Sequence, residues 1–189
     1  MTTRFLLAEM AYLRAVLTNI YLDSNVWDFL FDRNIYLSSE FPPEEVRLWI
    51  TREMEFEIPQ MPERKRTFVQ TTIAKCNIGT DAFFGFFDDS RPPEEQRVQG
   101  FGHGRWASAQ ELDFLASENR SVVVRPTKLH KHEADVSLAA RSFHSVVLTL
   151  DAKRGPLKRA FRQGGKVVFL NSFDTCSISL REFVLKAIL

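Results

Sequence analysis

The 189-residue chain has few of the features that mark specialised classes of protein. It contains only two cysteines, Cys76 and Cys176, with no metal-like spacing, so we expect no disulfide framework and a reducing, cytoplasmic location. No apolar run approaches the roughly 20 residues that cross a bilayer, and the N-terminal segment lacks the apolar core of an export signal, so no membrane attachment is expected. A net charge of +1 argues against a protein that coats nucleic acid but allows a local basic groove.

Internal repeats and low-complexity tracts are also absent, and the composition is that of an ordinary globular protein. The length and the 44% of hydrophobic residues predict a single domain over 1–189 with a sizeable core. The 17 phenylalanines, against 3 tyrosines, are expected mainly in the core or in an interface, because Phe contributes apolar area without a polar group.

Short apolar runs alternate with helical patterns along most of the chain. Strands are expected at 20–22, 46–50, 121–124, 145–150 and 167–170, and helices at 26–31, 52–58, 64–76, 108–118, 133–143, 156–163 and 179–188. This alternation predicts an α/β fold with a central, mostly parallel sheet and helices on both faces. Ser108 and Glu111 have the spacing of a capping box. Outside the alternation we expect an extra helix at about 4–17 and a loop-rich insertion at about 77–107.

Two of the predicted strands end in an aspartate with polar neighbours. Asp23 is followed by Ser24 and Asn25, and Asp151 is preceded by Thr149. In a parallel sheet, residues just beyond the carboxyl ends of the strands collect at one edge, where ligands bind. A single Asp at such a position is more often a turn residue, so the pair with its neighbours carries the argument for a functional site.

These motifs, in this order, resemble those of the PIN domain (PilT N-terminal type), the fold of many metal-dependent ribonucleases. The Asp-Ser/Thr-Asn motif of that family is matched by Asp23-Ser24-Asn25 after a hydrophobic strand. Its Asp at the start of a helix rich in small apolar residues is matched by Asp135, and its Thr-x-Asp motif by Thr149-Leu150-Asp151. The resemblance covers roughly 19–60 and 120–170.

The remaining acid of the family is a Glu about six residues beyond a Ser or Thr, in the helix after the second strand. Glu57 has this spacing from Thr51, and Glu53 and Glu55 are alternatives in the same segment. The chain departs from the family plan in its additional N-terminal helix. It also has a longer connection between this Glu and Asp135, which contains the insertion.

The resemblance implies a PIN-like three-layer sandwich with a catalytic group of Asp23, Glu57, Asp135 and Asp151 that hydrolyses RNA with Mg²⁺ or Mn²⁺. Asp23, Asp135 and Asp151 would hold the metal, since hard divalent cations prefer oxygen ligands and retain water that serves as nucleophile. Supporting hydrogen bonds are expected from Ser24, Asn25 and Thr149, and contacts with nucleic acid from Lys131, Lys153 and Arg154.

The same resemblance suggests a bacterial toxin ribonuclease, forming a homodimer and masked by a small protein antitoxin. Two alternatives stay open. One is a PIN-like scaffold without assembled acids that binds RNA or protein, and the other is a nuclease for DNA, which the same metal chemistry permits. His130 and His132, beside Glu133 and Asp135, also match part of a transition-metal motif, but a place at the mouth of the cleft is the favoured interpretation.

Overall fold

The computed structural model describes residues 17–82, 106–118, 129–175 and 177–188. Its strands are β1 (Thr18–Leu22), β2 (Val46–Thr51), β3 (Gly79–Asp81), β4 (Val146–Thr149) and β5 (Val167–Phe169). Its α-helices are α1 (Val26–Asp32), α2 (Leu37–Glu40), α3 (Arg52–Glu55), α4 (Glu63–Lys75), α5 (Ala109–Ser117), α6 (Glu133–Arg141), α7 (Pro156–Arg162) and α8 (Leu180–Ile188). Two 3₁₀ helices cover Ile58–Gln60 and Leu170–Thr175.

All five strands form one parallel sheet in the order β3-β2-β1-β4-β5. The central strand is β1, in which Tyr21 is aligned with Trp49 of β2 on one side and Val147 of β4 on the other. The chain first builds outward from β1 to β3 and then returns to add β4 and β5 on the opposite side. The order therefore reverses between β1 and β4, and a crevice outside the carboxyl ends of the strands is expected at such a reversal.

Alternate residues of the buried strands face two separate hydrophobic cores. Ile20 and Leu22 of β1 pack in the larger core with residues of α1, α2, α4 and α8. Tyr21 of β1 and Val147 of β4 pack in the smaller core with residues of α5, α6 and α7. This period of two, with helices over each face, makes the fold a three-layer α/β sandwich, and the predicted fold class is confirmed.

Most of the predicted elements lie within a few residues of their observed positions. The predicted capping box is confirmed: the Ser108 hydroxyl accepts from the Glu111 amide (3.2 Å), and the Glu111 carboxylate accepts from the Ser108 amide (2.8 Å). The helix predicted at 52–58 is shorter, because it ends at Glu55 and a 3₁₀ helix with Pro59 follows. The helix predicted at about 4–17 and the strand at 121–124 lie outside the described residues.

The predicted loop-rich insertion at about 77–107 begins with a strand that sequence patterning missed. Gly79–Asp81 pairs with β2 as the edge strand β3, whereas 83–105 lie outside the described residues. A three-residue strand with a glycine and an aspartate has no apolar alternation, which is why it reads as a loop. None of the described helices has the length and apolarity needed to span a membrane.

The Trp49 side chain explains the glycine at the start of β3. A Cβ added to Gly79 would lie 2.5 Å from the Trp49 ring, too close for a non-bonded contact. We therefore expect Gly79→Ala to lower the free energy of unfolding by about 1–3 kcal/mol, as overpacking does. Urea unfolding measures this change. Gly155→Ala is the control, because its Cβ would meet its nearest neighbour at 3.5 Å, and an equal loss in both variants would contradict the assignment.

Candidate functional site

Asp23 lies directly beyond β1, at the reversal of strand order, and its side chain is almost fully buried, with 4% of the residue exposed. Its Oδ1 accepts a hydrogen bond from the Ser24 amide (2.7 Å). Its Oδ2 accepts from the Asn25 side-chain amide (2.7 Å) and from the Thr149 hydroxyl (2.6 Å). Three donors thus fix the orientation of this carboxylate, two of them from its own turn and one from the neighbouring strand.

The polar residues around Asp23 join the ends of β1 and β4. The Asn25 side-chain oxygen accepts from the Leu150 amide (2.8 Å), and its nitrogen lies 3.3 Å from the Thr149 hydroxyl oxygen. The Thr149 hydroxyl oxygen also accepts from the Asp151 amide (2.9 Å). The structure thus places the three predicted supporting residues, Ser24, Asn25 and Thr149, in hydrogen-bonding contact with Asp23.

The environment of Asp23 raises its pKa from 3.8 to about 7. Burial is the largest cause, because it disfavours the ionised form, and the carboxylates of Asp135 and Glu57 raise the pKa further by repulsion. Hydrogen bonds from Thr149 and Ser24 act in the opposite direction by stabilising the carboxylate. Asp23, Asp135 and Glu57 are therefore close enough to share an electrostatic field.

Asp135 comes from the first turn of α6, on the smaller-core side of the sheet. Its Oδ2 lies 3.1 Å from Nδ1 of His132, the residue that precedes α6 and has a left-handed backbone conformation (φ 66°). The neighbouring Glu133 accepts a hydrogen bond from the His130 amide (2.7 Å). The two histidines therefore lie at the entrance to α6, beside one of the predicted catalytic acids.

Glu57 lies immediately before the 3₁₀ helix Ile58–Gln60 rather than within a helix. It borders an open cleft of about 420 Å³ whose wall also contains Ser24 and Asn25. Asp28 of α1 and Lys65 of α4 form an ion pair at the same cleft. The cleft therefore begins beside Asp23 and continues between α1 and α4.

Asp151 occupies a different position in the site. Its carboxylate Oδ1 accepts from the Lys153 amide (3.1 Å), as in a turn, and its own amide is bonded to Thr149. Asp151 is not among the main causes of the raised pKa of Asp23. Asp151 is connected to Asp23 only indirectly: its amide donates to the Thr149 hydroxyl, which in turn donates to the Asp23 carboxylate.

The alternative acid Glu53 points away from this cleft, towards α6. It is fully buried, and burial raises the pKa of its carboxyl, while Arg141 and the hydroxyls of Ser137 and Thr51 lower it. Neither carboxylate oxygen of Glu53 makes a hydrogen bond of normal geometry. Of the two acids, only Glu57 is a main cause of the raised pKa of Asp23 and lines the cleft.

Sequence reasoning missed a second polar group, centred on the fully buried Arg141 of α6. Its Nε donates to Asp81 (2.9 Å), which also accepts from the Tyr21 hydroxyl (2.7 Å), and its Nη1 donates to the Ser137 carbonyl (3.0 Å). The group links α6, which carries Asp135, to β1 and β3. The sequence feature that could have indicated this group is Arg141 itself, because a charged residue directly follows the run of small and apolar residues Val136–Ala140.

The predicted nucleic-acid contacts Lys131, Lys153 and Arg154 are exposed. Lys131 lies in the turn before α6, and Lys153 and Arg154 lie in the turn between β4 and α7. Each turn also contains or adjoins one of the predicted acids, Asp135 or Asp151. Lys131 therefore lies close in sequence to Asp135, and Lys153 and Arg154 lie close in sequence to Asp151.

The carboxylate oxygens of Asp23, Asp135 and Glu57 match the ligand preference of Mg²⁺ and Mn²⁺, and their mutual repulsion is of the kind that a cation relieves. Among residues 17–82, 106–118, 129–175 and 177–188, however, no group of three or more His, Cys, Asp or Glu side chains is close enough together to hold a metal ion. The donor chemistry fits a divalent cation, and the spacing is wider than that of a formed site.

No protein-family model matches the chain, and comparisons with the curated proteins and with the solved structures gave no match. The PIN resemblance therefore depends on the order of the motifs around Asp23, Asp135 and Asp151. The α/β sandwich agrees with the fold that this resemblance implies, but a fold of this class hosts many functions. The function therefore depends on the chemistry of the side chains at the site.

The raised pKa of Asp23 predicts a specific dependence of stability on pH. Because the folded-state pKa (about 7) exceeds the ordinary value of 3.8, the protonated form is stabilised by folding, and stability is lost as the pH rises towards and through 7. Relative to Asp23→Asn, the unfolding free energy should fall by roughly 2–3 kcal/mol between pH 5 and pH 8 without divalent metal. Urea titrations of both proteins test this, and a constant difference would contradict it.

The buried position of Arg141 predicts a large effect of its removal. Arg141→Met should destabilise the fold by about 3 kcal/mol or more, because Glu53 and Asp81 would lose a cation that lies beside them. Arg162→Met, at the exposed end of α7, is the matched control and should change stability by less than about 0.5 kcal/mol. Chemical unfolding of both variants makes the comparison, and similar midpoints would contradict a structural role for Arg141.

Proposed function

We propose that this chain is a metal-dependent ribonuclease that hydrolyses phosphodiester bonds at the carboxyl edge of β1 and β4. The observation that carries the proposal is the buried Asp23 carboxylate at the end of β1, which Ser24, Asn25 and Thr149 orient by hydrogen bonds and whose pKa the nearby Asp135 and Glu57 help to raise. Perturbed titrating groups beside a cleft are typical of functional sites. Their place at the reversal of strand order is where α/β sheets bind ligands.

A divalent cation would resolve the electrostatic conflict at this site. Ionising Asp23 near pH 7 is unfavourable in a buried position close to two other acids, and a bound Mg²⁺ or Mn²⁺ offsets that cost. Asp23 and Asp135 would hold the ion, and Glu57 and Asp151 would complete its ligands or orient water. When bound, the ion supplies a more acidic water and charge stabilisation for the phosphodiester.

The protein's own contribution is orientation. The hydrogen bonds from Ser24, Asn25 and Thr149 hold both oxygens of Asp23 in place before any ligand arrives, which lowers the cost of organising the site. Asp135, Glu57 and Asp151 lie on three separate segments, so binding of one cation by these acids together with Asp23 would require the segments to move closer. The exposed Lys131, Lys153 and Arg154 would contact phosphates of the RNA.

A binding module without catalysis is the second candidate. It is favoured by the absence, among the described residues, of three acids or histidines close enough together to hold an ion. In that case the cleft and the exposed lysines would bind RNA or a protein, and no cation would be required. A DNA nuclease is a variant of the first proposal, since the chemistry at phosphorus is the same.

Cleavage assays separate these candidates. Labelled single-stranded RNA and DNA are incubated with the full chain in Mg²⁺, Mn²⁺ or EDTA. We expect metal-dependent cleavage of RNA that falls at least 100-fold in Asp23→Asn and Asp135→Asn, because each loses a charged oxygen ligand. Asp113→Asn, an exposed acid on α5, should cut at the parental rate.

Each other outcome has a defined meaning. An Asp23→Asn protein that cuts at full rate would remove Asp23 from the mechanism. Preference for DNA would change the substrate class, and RNA binding without cleavage in either metal would favour the binding module.

The two glutamates give a further test of the site. Glu57→Gln should reduce cleavage at least tenfold, because it removes a carboxylate charge that borders the cleft and acts on Asp23. Glu53→Gln should leave the affinity for Mn²⁺ unchanged, because its carboxylate faces Arg141 and α6 rather than the cleft. Activity, urea unfolding and Mn²⁺ titration are measured on both, and the reverse pattern would assign the role to Glu53.

The more specific role that the PIN resemblance suggests is that of a toxin, acting as a homodimer and held inactive by a protein antitoxin. If so, expression of the parental chain in a bacterium should arrest growth, and the Asp23→Asn chain should not. Growth of both strains at equal protein levels is the measurement.

A further inference from the structure

The cleft beside Glu57 extends beyond the proposed catalytic acids into a space that they do not use. Asp28 of α1 and Lys65 of α4 lie on its wall, and Gln60 and Met61 come from the 3₁₀ helix and the residue after it. Its volume of about 420 Å³ is within the range of small-molecule sites. Because one end contains Ser24, Asn25 and Glu57, a ligand in this space would be adjacent to Asp23.

The ion pair across the cleft is asymmetric. The Lys65 side chain is 15% exposed, whereas the Asp28 side chain is 58% exposed. Lys65 is therefore the more buried partner, and much of the Asp28 side chain remains exposed to solvent at the cleft. An ionised carboxylate is an acceptor only, so the exposed side of this pair is suited to a ligand that donates hydrogen bonds.

The charge of the cleft disfavours a phosphate as its occupant. Asp28 and Glu57 contribute two negative charges against the single positive charge of Lys65, and the neighbouring acids add to the negative field. An uncharged, flat group with hydrogen-bond donors on one edge avoids this repulsion. Met61 and Pro62 provide apolar contact for its face, and the exposed Gln60 amide provides a further polar group for its edge.

We propose that this cleft is a subsite for one nucleobase of the RNA strand, next to the bond that is cut, and that Asp28 recognises the exocyclic amino group of the base. The inference rests on the proposed function, because it places the base of an RNA substrate beside the acids. Carboxylates accept from the amino group of cytosine in known modes of base recognition. Uracil presents a carbonyl oxygen at that position, which would face the carboxylate without a hydrogen bond.

Cytidine and uridine oligomers give the sharpest test, because the two bases have the same pyrimidine ring size and differ at this amino or carbonyl group and in the proton that uracil carries on the adjacent N3. The full chain with Asp135→Asn, which should bind without cutting, is titrated with short fluorescent oligo-C and oligo-U in Mg²⁺ at fixed salt. We expect oligo-C to bind roughly tenfold more tightly, as one good base contact gives. Adding Asp28→Ala should bring the two affinities to within about twofold.

The matched control is Asp32→Ala in the same background, since Asp32 is an exposed acid at the other end of α1 that does not line the cleft. It should keep the full preference for oligo-C. Equal affinities for the two oligomers in the Asp135→Asn protein, a preference that survives Asp28→Ala, or no binding of either oligomer would each overturn the subsite.

Cleavage of the same oligomers by the parental chain decides the enzyme proposal separately. A preference for oligo-C that depends on Asp28, without cleavage of either oligomer in any metal, would retain the subsite and reject the nuclease. Cleavage at equal rates and with equal affinities would retain the nuclease and reject the subsite.

Discussion

The hydrogen bond from the Thr149 hydroxyl to the Asp23 carboxylate is the contact on which the arrangement of the site depends. It joins the ends of β1 and β4, the two strands between which the sheet reverses its order. Thr149 is fully buried and Asp23 nearly so, so an unmatched polar atom at either position would be costly. The bond therefore fixes the register of the two strand ends and the orientation of the carboxylate together.

That constraint explains how a buried acid is retained in this fold. Burial and two neighbouring carboxylates favour protonation of Asp23, and three hydrogen-bond donors favour its ionisation. The balance leaves the pKa near 7, so the group changes charge in the range where a cation or a substrate can decide its state.

Local patterning was sufficient for the fold because strands such as Val146–Thr149 are short, apolar and bounded by helix signals. It also indicated Ser24, Asn25 and Thr149 as supporting residues, but that Thr149 supports Asp23 across the two strands follows only from the pairing of β1 with β4. It could not give β3, whose edge position depends on the fit of Gly79 beneath Trp49. Nor could it choose between Glu53 and Glu57, because their directions depend on how α3 ends and on the position of Arg141.

Arg141 shows why the missing information is tertiary. Its guanidinium makes contacts with Asp81 and Ser137 and lies over the Tyr21 ring, with 5.6 Å to the ring centroid. These partners come from β3, α6 and β1, and 60 positions separate Asp81 from Arg141. The same helix, α6, carries Asp135 two residues before Ser137, so this buried network holds in place the helix from which Asp135 acts on Asp23. The position of α6, and with it that of Asp135, thus depends on contacts with residues distant in the sequence, which local patterning cannot show.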